Sequence, residues 1–209
     1  MAEIMIRSLV LGMVATNCYF VMNQETKEIL LVDPADSPEI IDRQILKMEG
    51  KPVGILLTHG HFDHMTAAVS CQERYGIPVY AHILEQEVLE NPDYNLSGAW
   101  SEAQGMKADH LVADGDVLEL AGFDIEVLHT PGHTKGSVCY YLVNEFVLFS
   151  GDTLFERSYG RTDLPTASMQ DMRTSIARLL SSLPDETVVY PGHGESTNIR
   201  MEKRYNPLA

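Results

Sequence analysis

Cysteine and tryptophan are scarce in this sequence, and no segment reads as a secretion signal. Its 209 residues include three cysteines and one tryptophan. Cys18, Cys71 and Cys139 show no paired spacing, so nothing indicates a disulfide framework. The N-terminus alternates apolar and polar residues and lacks a charged segment followed by an apolar stretch, which argues against a signal peptide. These features predict a cytoplasmic protein whose cysteines are small buried hydrophobic side chains.

Basic residues and long hydrophobic runs are also missing. The 15 Lys and Arg are outnumbered by 30 Asp and Glu, which gives a net charge of -15 and disfavours nucleic acid as a partner. No apolar run approaches the length of a membrane span, so no membrane association is expected. The length and the 44% apolar content suit a single domain over residues 1–209.

Against this background, one short segment is dense in metal ligands. Residues 58–64 read Thr-His-Gly-His-Phe-Asp-His and follow the apolar run 53–57. At the end of a buried strand, four such side chains would each lose hydration, whereas divalent cations could satisfy all of them. Asp63 and His64 come after the chain has begun to turn away from the extended segment of His59 and His61, so we expect two ions, with His59 and His61 on one and Asp63 and His64 on the other. Gly60 is expected to keep the space beside the ion free. The alternative is a solvated histidine-rich loop.

The remaining pattern predicts an α/β protein. Alternating strands open the chain, and a helix up to Gly50, a strand at 53–57, a helix at about 64–75, a strand at 78–81 and a helix at 83–89 follow. Residues 91–114 lack periodicity and predict an irregular excursion. Two hairpins are expected at 117–128 and 138–150, and then a helix, a strand at 187–190 and a terminal helix. Two groups of strands with inserted helices predict a four-layer αββα sandwich.

Three later turns each place one ligand-type residue at the end of a predicted strand. They contain His133 in Thr-Pro-Gly-His-Thr, Asp152 in Ser-Gly-Asp-Thr and His193 in Pro-Gly-His-Gly. Each motif also occurs in loops without chemistry. Together with the first motif, they indicate that several loops converge at one edge of the sheets.

The motif at 58–64, followed by His133, Asp152 and His193, resembles the ligand motifs of the metallo-β-lactamase superfamily along essentially the whole chain. The resemblance implies the αββα fold and a two-metal site with a bridging water or hydroxide. It places His59, His61 and His133 on one ion and Asp63, His64 and His193 on the other, with Asp152 between them. Asp63 and Asp152 are thereby expected to take part in catalysis. The commonest β-lactamases of this type carry a cysteine in place of Asp152.

Residues 151–155 and 160–165, together with the ending at 190–194, look like the short bacterial glyoxalase II-like hydrolases. This resemblance implies hydrolysis of a small thioester, S-lactoylglutathione or a related acyl-thiol. Full-length glyoxalase II carries a further C-terminal helical domain that binds glutathione, and no such domain is expected here. The expected cofactor is two divalent metal ions, with zinc first and iron or manganese as alternatives. Oligomeric state is left open.

Thioester chemistry also fits the lack of an obvious proton donor, because a thiolate can leave without protonation. Asp33, Thr58 and Thr134 are candidates for orienting the imidazoles, although Asp33 could instead be a turn-forming residue before proline. Lys135 and Tyr159 are candidate substrate contacts. For Arg161, an ion pair with a nearby carboxylate is preferred over substrate binding. His82 and His110 are predicted to lie on the surface, and His129 on a strand near the site.

Two alternative hypotheses for the function remain open. A persulfide dioxygenase would share the fold and the Gly-Arg-Thr-Asp stretch but bind one iron, here through His59, His133 and Asp152. A metal-holding module without turnover would keep the ligands and lack activity.

Overall fold

A computed structural model describes residues 3–209 and contains two six-stranded sheets. In spatial order, the first sheet consists of β1 (Ile4–Leu11), β2 (Thr16–Asn23), β3 (Glu28–Val32), β4 (Lys51–Leu56), β5 (Val79–His82) and β6 (His110–Val112). The second consists of β14 (Thr197–Asn198), β13 (Val188–Pro191), β10 (Val147–Gly151), β9 (Val138–Leu142), β8 (Phe123–His129) and β7 (Val117–Leu120). A small hairpin pairs β11 (Leu154–Phe155) with β12 (Ser158–Tyr159).

Seven helices accompany these strands in the described part of the chain. They are α1 (Pro38–Met48), α2 (Phe62–Met65), α3 (Ala68–Tyr75), α4 (Gln86–Glu90), α5 (Ser97–Trp100), α6 (Met169–Ser182) and α7 (Ile199–Tyr205). A 3-10 turn at Ile83–Glu85 precedes α4. Among residues 3–209, no helix has both the length and the hydrophobicity needed to cross a membrane.

The side-chain alternation of β2 shows how the layers form. Cys18, Phe20 and Met22 join the hydrophobic cluster beneath α1 and α3, whereas Tyr19 and Val21 point into the cluster between the two sheets. This is the period-two pattern of a strand that is buried on both faces. A third cluster packs the outer face of the second sheet against α6. The predicted four-layer αββα sandwich is confirmed.

The two predicted hairpins are confirmed as β7–β8 and β9–β10, both antiparallel. The predicted helix at 64–75 is instead two helices, because the chain bends between α2 and α3. The excursion at 91–114 contains α5 and the three-residue strand β6, which pairs in parallel with β5 and forms the edge of the first sheet. Elements of three or four residues are too short to produce a detectable periodicity.

Two histidine predictions had different outcomes. His110 is exposed, as predicted, and stacks on Tyr80. His82 is buried, so its predicted surface position was wrong. Its ring stacks on His129 of the other sheet with the centroids 4.1 Å apart. Cys18, Cys71 and Cys139 are buried and free, as the sequence predicted.

Backbone hydrogen bonds join the two sheets beside the predicted ligand loops. The Val138 amide donates to the Thr58 carbonyl at 2.9 Å, and the Asn17 amide donates to the Gly192 carbonyl at 2.7 Å. The loops that follow β4, β8, β10 and β13 therefore meet at one edge of the sandwich, across the seam between the sheets.

Candidate metal centre

The structure brings all seven predicted ligands into one cluster at this edge. Three groups have ligand atoms within 4.8 Å of one another: His59, His61 and His133; Asp63, His64 and His193; and His59, His64 and Asp152. The first two groups coincide with the two ligand sets that the sequence resemblance implied. The third group contains one member of each set together with Asp152.

Asp152 lies between the two sets. Its Oδ1 atom is 3.4 Å from the Nε2 atom of His64. Its Oδ2 atom is 3.4 Å from Nε2 of His133 and 3.5 Å from Nε2 of His193. One carboxylate thus faces imidazoles of both sets, which is the arrangement that a shared ligand requires.

Unpartnered polar atoms of the cluster fit divalent metal ions. His59 Nε2, His61 Nε2, His64 Nε2 and Asp152 Oδ1 are buried and lack a hydrogen-bond partner in the described structure. A buried polar atom without a partner costs roughly 1–3 kcal/mol. Histidine and carboxylate donors that converge in this way suit zinc, iron and manganese alike, so the donor set does not select one metal.

Asp33 and Thr58 fix the orientation of two imidazoles. Both oxygens of the buried Asp33 carboxylate accept from Thr58, at 2.8 Å from the amide and 2.7 Å from the hydroxyl. The His64 Nδ1 atom lies 2.9 Å from Asp33 Oδ2, and the His59 Nδ1 atom lies 3.2 Å from the Thr58 hydroxyl oxygen. Because the Thr58 hydroxyl donates its hydrogen bond to Asp33, its oxygen can only accept from His59 Nδ1, and the Asp33 carboxylate accepts from His64 Nδ1. Both Nδ1 atoms therefore act as donors. The Nε2 lone pairs of His59 and His64 are then free to bind a cation.

Other contacts hold His133 and Asp63. The Nδ1 atom of His133 lies 2.8 Å from the backbone carbonyl of Arg161, which makes Nδ1 the donor and leaves the Nε2 lone pair facing the cluster. That Nε2 atom is 2.9 Å from His61 Nδ1. The Thr16 hydroxyl donates to Asp63 at 2.8 Å.

Sequence reasoning missed one buried carboxylate, Glu85. It accepts a hydrogen bond from the Gly60 amide at 2.7 Å and another from the Thr134 hydroxyl at 2.9 Å. The Gly136 amide also bonds to it. Burial is the largest influence on Glu85 and raises its pKa to about 7. Glu85 therefore joins the loop of His59 and His61 to the turn of His133.

Thr134 orients this carboxylate rather than an imidazole, which differs from its predicted role. Gly60 also has a packing role that the sequence did not indicate. A side chain on Gly60 would meet Leu89 at 3.1 Å, so close packing against α4 favours glycine there.

Burial and neighbouring charges shift the pKa values of the cluster residues in opposite directions. Burial lowers the pKa of His61 to about 3 and also lowers that of His59. For His193, burial is outweighed by the carboxylates of Asp152 and Asp63, which raise the pKa to about 9. Neighbouring carboxylates likewise raise the pKa of His64. The pKa of Asp63 falls to about 2 because His64 and His193 overcome the effect of burial.

These shifts predict proton release when metal binds. The pKa of about 9 keeps His193 protonated at pH 7.5 in the protein without metal, and an imidazole must lose its proton to bind a cation. Filling the site should release about one proton per chain from His193, measurable by calorimetry in buffers of different ionisation enthalpy. His193→Ala should lower this number by about one, whereas the exposed control His110→Ala should not change it. Metal binding without net proton release would contradict the prediction.

A cleft of about 680 Å³ opens above the cluster. Tyr159, a candidate substrate contact, lines it together with Arg161. The Arg161 guanidinium forms a bidentate pair with Asp163 at 2.7 and 2.8 Å, in agreement with the preferred ion-pair role. Lys135 is not among the lining residues, and its ammonium pairs with Glu87, so the structure gives no support to its role as a substrate contact.

Comparison with known proteins identifies the family. The model of the metallo-beta-lactamase superfamily matches residues 11–193. The probable metallo-hydrolase YqgX of Bacillus subtilis is 37% identical, with 97% of this chain and 96% of that protein covered. The hydroxyacylglutathione hydrolase GloC of Haemophilus influenzae is 31% identical, with 92% of each chain covered.

Solved structures agree with this family. The B3 metallo-beta-lactamase BLEG-1 is 39% identical with a TM-score of 0.92, over 97% of this chain and 98% of that one. TTHA1623, solved in a di-iron-bound form, is 37% identical with a TM-score of 0.86, over 97% and 100%. ETHE1 from Myxococcus xanthus is 30% identical with a TM-score of 0.79, over 97% and 83%.

The family match and the His/Asp cluster identify a metal-dependent hydrolase. The fold, the order of the ligand motifs and the similarity along almost the entire chain lead to one conclusion: the chain belongs to the metallo-beta-lactamase superfamily.

Proposed function

We propose that this protein hydrolyses small-molecule thioesters with two divalent metal ions. The observation that carries the proposal is Asp152, whose carboxylate faces imidazoles of two complete three-residue ligand sets. One ion would be held by His59, His61 and His133 and the other by Asp63, His64 and His193, with Asp152 shared between them. When bound, such a pair lowers the pKa of a water molecule and polarises a carbonyl group.

The residues of the chain set the conditions for this reaction. Asp63 keeps a pKa of about 2 and is held by the Thr16 hydroxyl, so it stays ionised and can accept a hydrogen bond from an attacking water molecule. Asp33 and Thr58 keep the imidazoles of His59 and His64 in the tautomer that binds a cation. Outside the cluster, no carboxylic acid is among the residues that line the cleft. A thiolate leaving group needs no such proton donor, which favours a thioester over an amide.

Similar proteins support the proposed activity and the choice of metal. GloC is a hydroxyacylglutathione hydrolase, a thioester-cleaving activity that we propose for this chain in the broader form of acyl-thiol hydrolysis. Zinc is our first choice of metal, and the di-iron form of TTHA1623 makes iron the strongest alternative. The buried free cysteines support a reducing compartment, the cytoplasm, and the net charge of -15 argues against nucleic acid.

Two other activities have a specific observation in their favour. The similarity to ETHE1 supports a persulfide dioxygenase, which would use a single iron on His59, His133 and Asp152. The similarity to BLEG-1 supports β-lactam hydrolysis. The first alternative predicts one ion per chain, whereas the second also predicts two. Metal content and substrate range therefore separate all three.

The test combines metal analysis with activity measurements on one preparation. We expect about two ions per chain and hydrolysis of S-lactoylglutathione or of an uncharged acyl-thiol. A chelator should abolish this activity, and added zinc, iron or manganese should restore it. Oxygen consumption on a persulfide by protein with one iron would overturn the proposal. So would β-lactam cleavage without thioester cleavage. Bound metal with no turnover of any of these substrates would identify a metal-holding module.

A further inference from the structure

The walls of the cleft are apolar, although its floor is the His/Asp cluster. Val14 comes from the β1–β2 turn, Leu96 and Trp100 from the α5 segment, and Phe155 and Leu164 from the β11–β12 hairpin and the loop that follows it. Trp100 is 61% exposed and Val14 is 44% exposed. Large apolar side chains that remain exposed beside a functional site are typical of a binding surface.

This apolar wall reaches the cluster itself. The ring centroid of Phe155 lies 6.2 Å from that of His193, in an edge-on arrangement. Phe62, another lining residue, stands in sequence between the ligands His61 and Asp63. A substrate whose carbonyl carbon lies over the cluster would therefore place its neighbouring carbon atoms against aromatic rings.

Outside the metal centre, the walls of the cleft offer no unpaired cation to an anionic substrate. Apart from histidines of the cluster, Arg161 is the one basic side chain among the lining residues, and Asp163 binds its guanidinium through two hydrogen bonds. In this pair the Nε and Nη2 atoms of Arg161 already donate to Asp163, so a substrate anion would compete with a carboxylate for these donors. Carboxylates or phosphates on a substrate would also meet a chain of net charge -15.

We propose that the cleft selects uncharged thioesters that carry an apolar acyl group, with Trp100 as the main apolar contact. The inference rests on the proposed thioesterase function and narrows its substrate class. A neutral acyl-thiol loses little hydration on entering an apolar cleft, whereas glutathione carboxylates would lose hydration without gaining a free cation from the cleft walls. Each buried methylene can raise kcat/KM by at most about fourfold, the equivalent of about 0.8 kcal/mol.

The experiment compares two matched substrate series on the metal-loaded protein. Acetyl, butyryl and hexanoyl thioesters of N-acetylcysteamine are uncharged, and the same acyl thioesters of glutathione carry its charges. We expect kcat/KM to rise at least about tenfold from acetyl to hexanoyl. The N-acetylcysteamine ester should also be cleaved at least as efficiently as the glutathione ester of the same acid.

Two variants test the residues. In Trp100→Ala, the hexanoyl-to-acetyl ratio of kcat/KM should fall at least about fivefold, whereas Leu46→Ala, which removes an exposed apolar side chain on the distant α1, should leave it within about twofold. Asp163→Asn frees Arg161 and should raise the glutathione-to-N-acetylcysteamine ratio about threefold or more. A purely structural role for either residue would not move these ratios.

The outcomes separate the two proposals. If no thioester of either series is cleaved, the proposed function fails. If thioesters are cleaved but glutathione esters are preferred, or if acyl length has no effect, only the substrate inference is overturned. Unchanged ratios in both Trp100→Ala and Asp163→Asn would also overturn it.

Discussion

Replacing Asp152 by alanine should abolish nearly all hydrolytic activity, with kcat/KM reduced by a factor on the order of 1,000. The carboxylate has oxygens within 3.5 Å of His64, His133 and His193, so its removal leaves three imidazoles without the anion between them. We also expect the variant to bind fewer metal ions per chain. Activity on the preferred thioester and metal content measured on the same sample check the prediction.

Asp152→Asn refines this expectation, because the amide keeps the shape of the side chain and removes its charge. It should retain more metal than Asp152→Ala and still lose most of the activity. Asp124→Ala provides the control, since Asp124 is an exposed carboxylate on β8. If Asp152→Ala kept both ions and more than about a tenth of the activity, a shared role for Asp152 in holding the metal pair would be wrong.

The second large effect concerns Glu85, although this residue forms no hydrogen bond with any of the predicted ligands. Glu85→Ala should lower the free energy of unfolding by about 3 kcal/mol, because the amides of Gly60 and Gly136 and the hydroxyl of Thr134 lose a buried acceptor. The loop that carries His61 and the turn that carries His133 would also lose the hydrogen bonds through which Glu85 connects them. Metal affinity should therefore fall about 10- to 100-fold.

Glu87→Ala is the matched control for Glu85→Ala. Glu87 stands two residues further along the chain, is exposed and pairs with Lys135 at the surface. Surface ion pairs contribute about 0–1 kcal/mol, so the control should change stability and metal affinity little. Denaturant unfolding and competition with a chelator give the two quantities. Equal effects of the two substitutions would show that Glu85 has no special role beside the centre.

There is a physical reason why the sequence indicated a role for Asp33 near the site but not for Glu85. Asp33 follows a predicted strand directly, and strand ends at one edge of a sheet converge, so its position alone made it a candidate. Glu85 lies on a segment that reads as a helix, and its partners are mostly backbone amides, which carry no residue-type signal. One signal was present: Val88 and Leu89 follow at the spacing that places them on the same helical face as Glu85, and both are buried.

The long-range contacts of the fold were equally beyond the sequence pattern. Periodicity predicts which residues of a strand share a face, and this was sufficient for the four layers and the two hairpins. It does not predict which side chain of the opposite sheet lies against them. The burial of His82 depends on such a contact, because His129 covers it from another strand. By contrast, an ion pair of Arg161 with a nearby carboxylate was predictable, because Arg161 and Asp163 are only two residues apart in the sequence.

The floor and the rim of the cleft are built by different parts of the chain. The ligands follow strands of the two large sheets, whereas Val14, Trp100 and Tyr159 come from a turn, a one-turn helix and a two-stranded hairpin that supply no ligand. Changes in these peripheral segments can therefore alter which molecules enter without disturbing the chemistry beneath. Such independence gives natural variation and directed evolution a route to new specificities, and it suits a family whose members bear names as different as BLEG-1, ETHE1 and GloC.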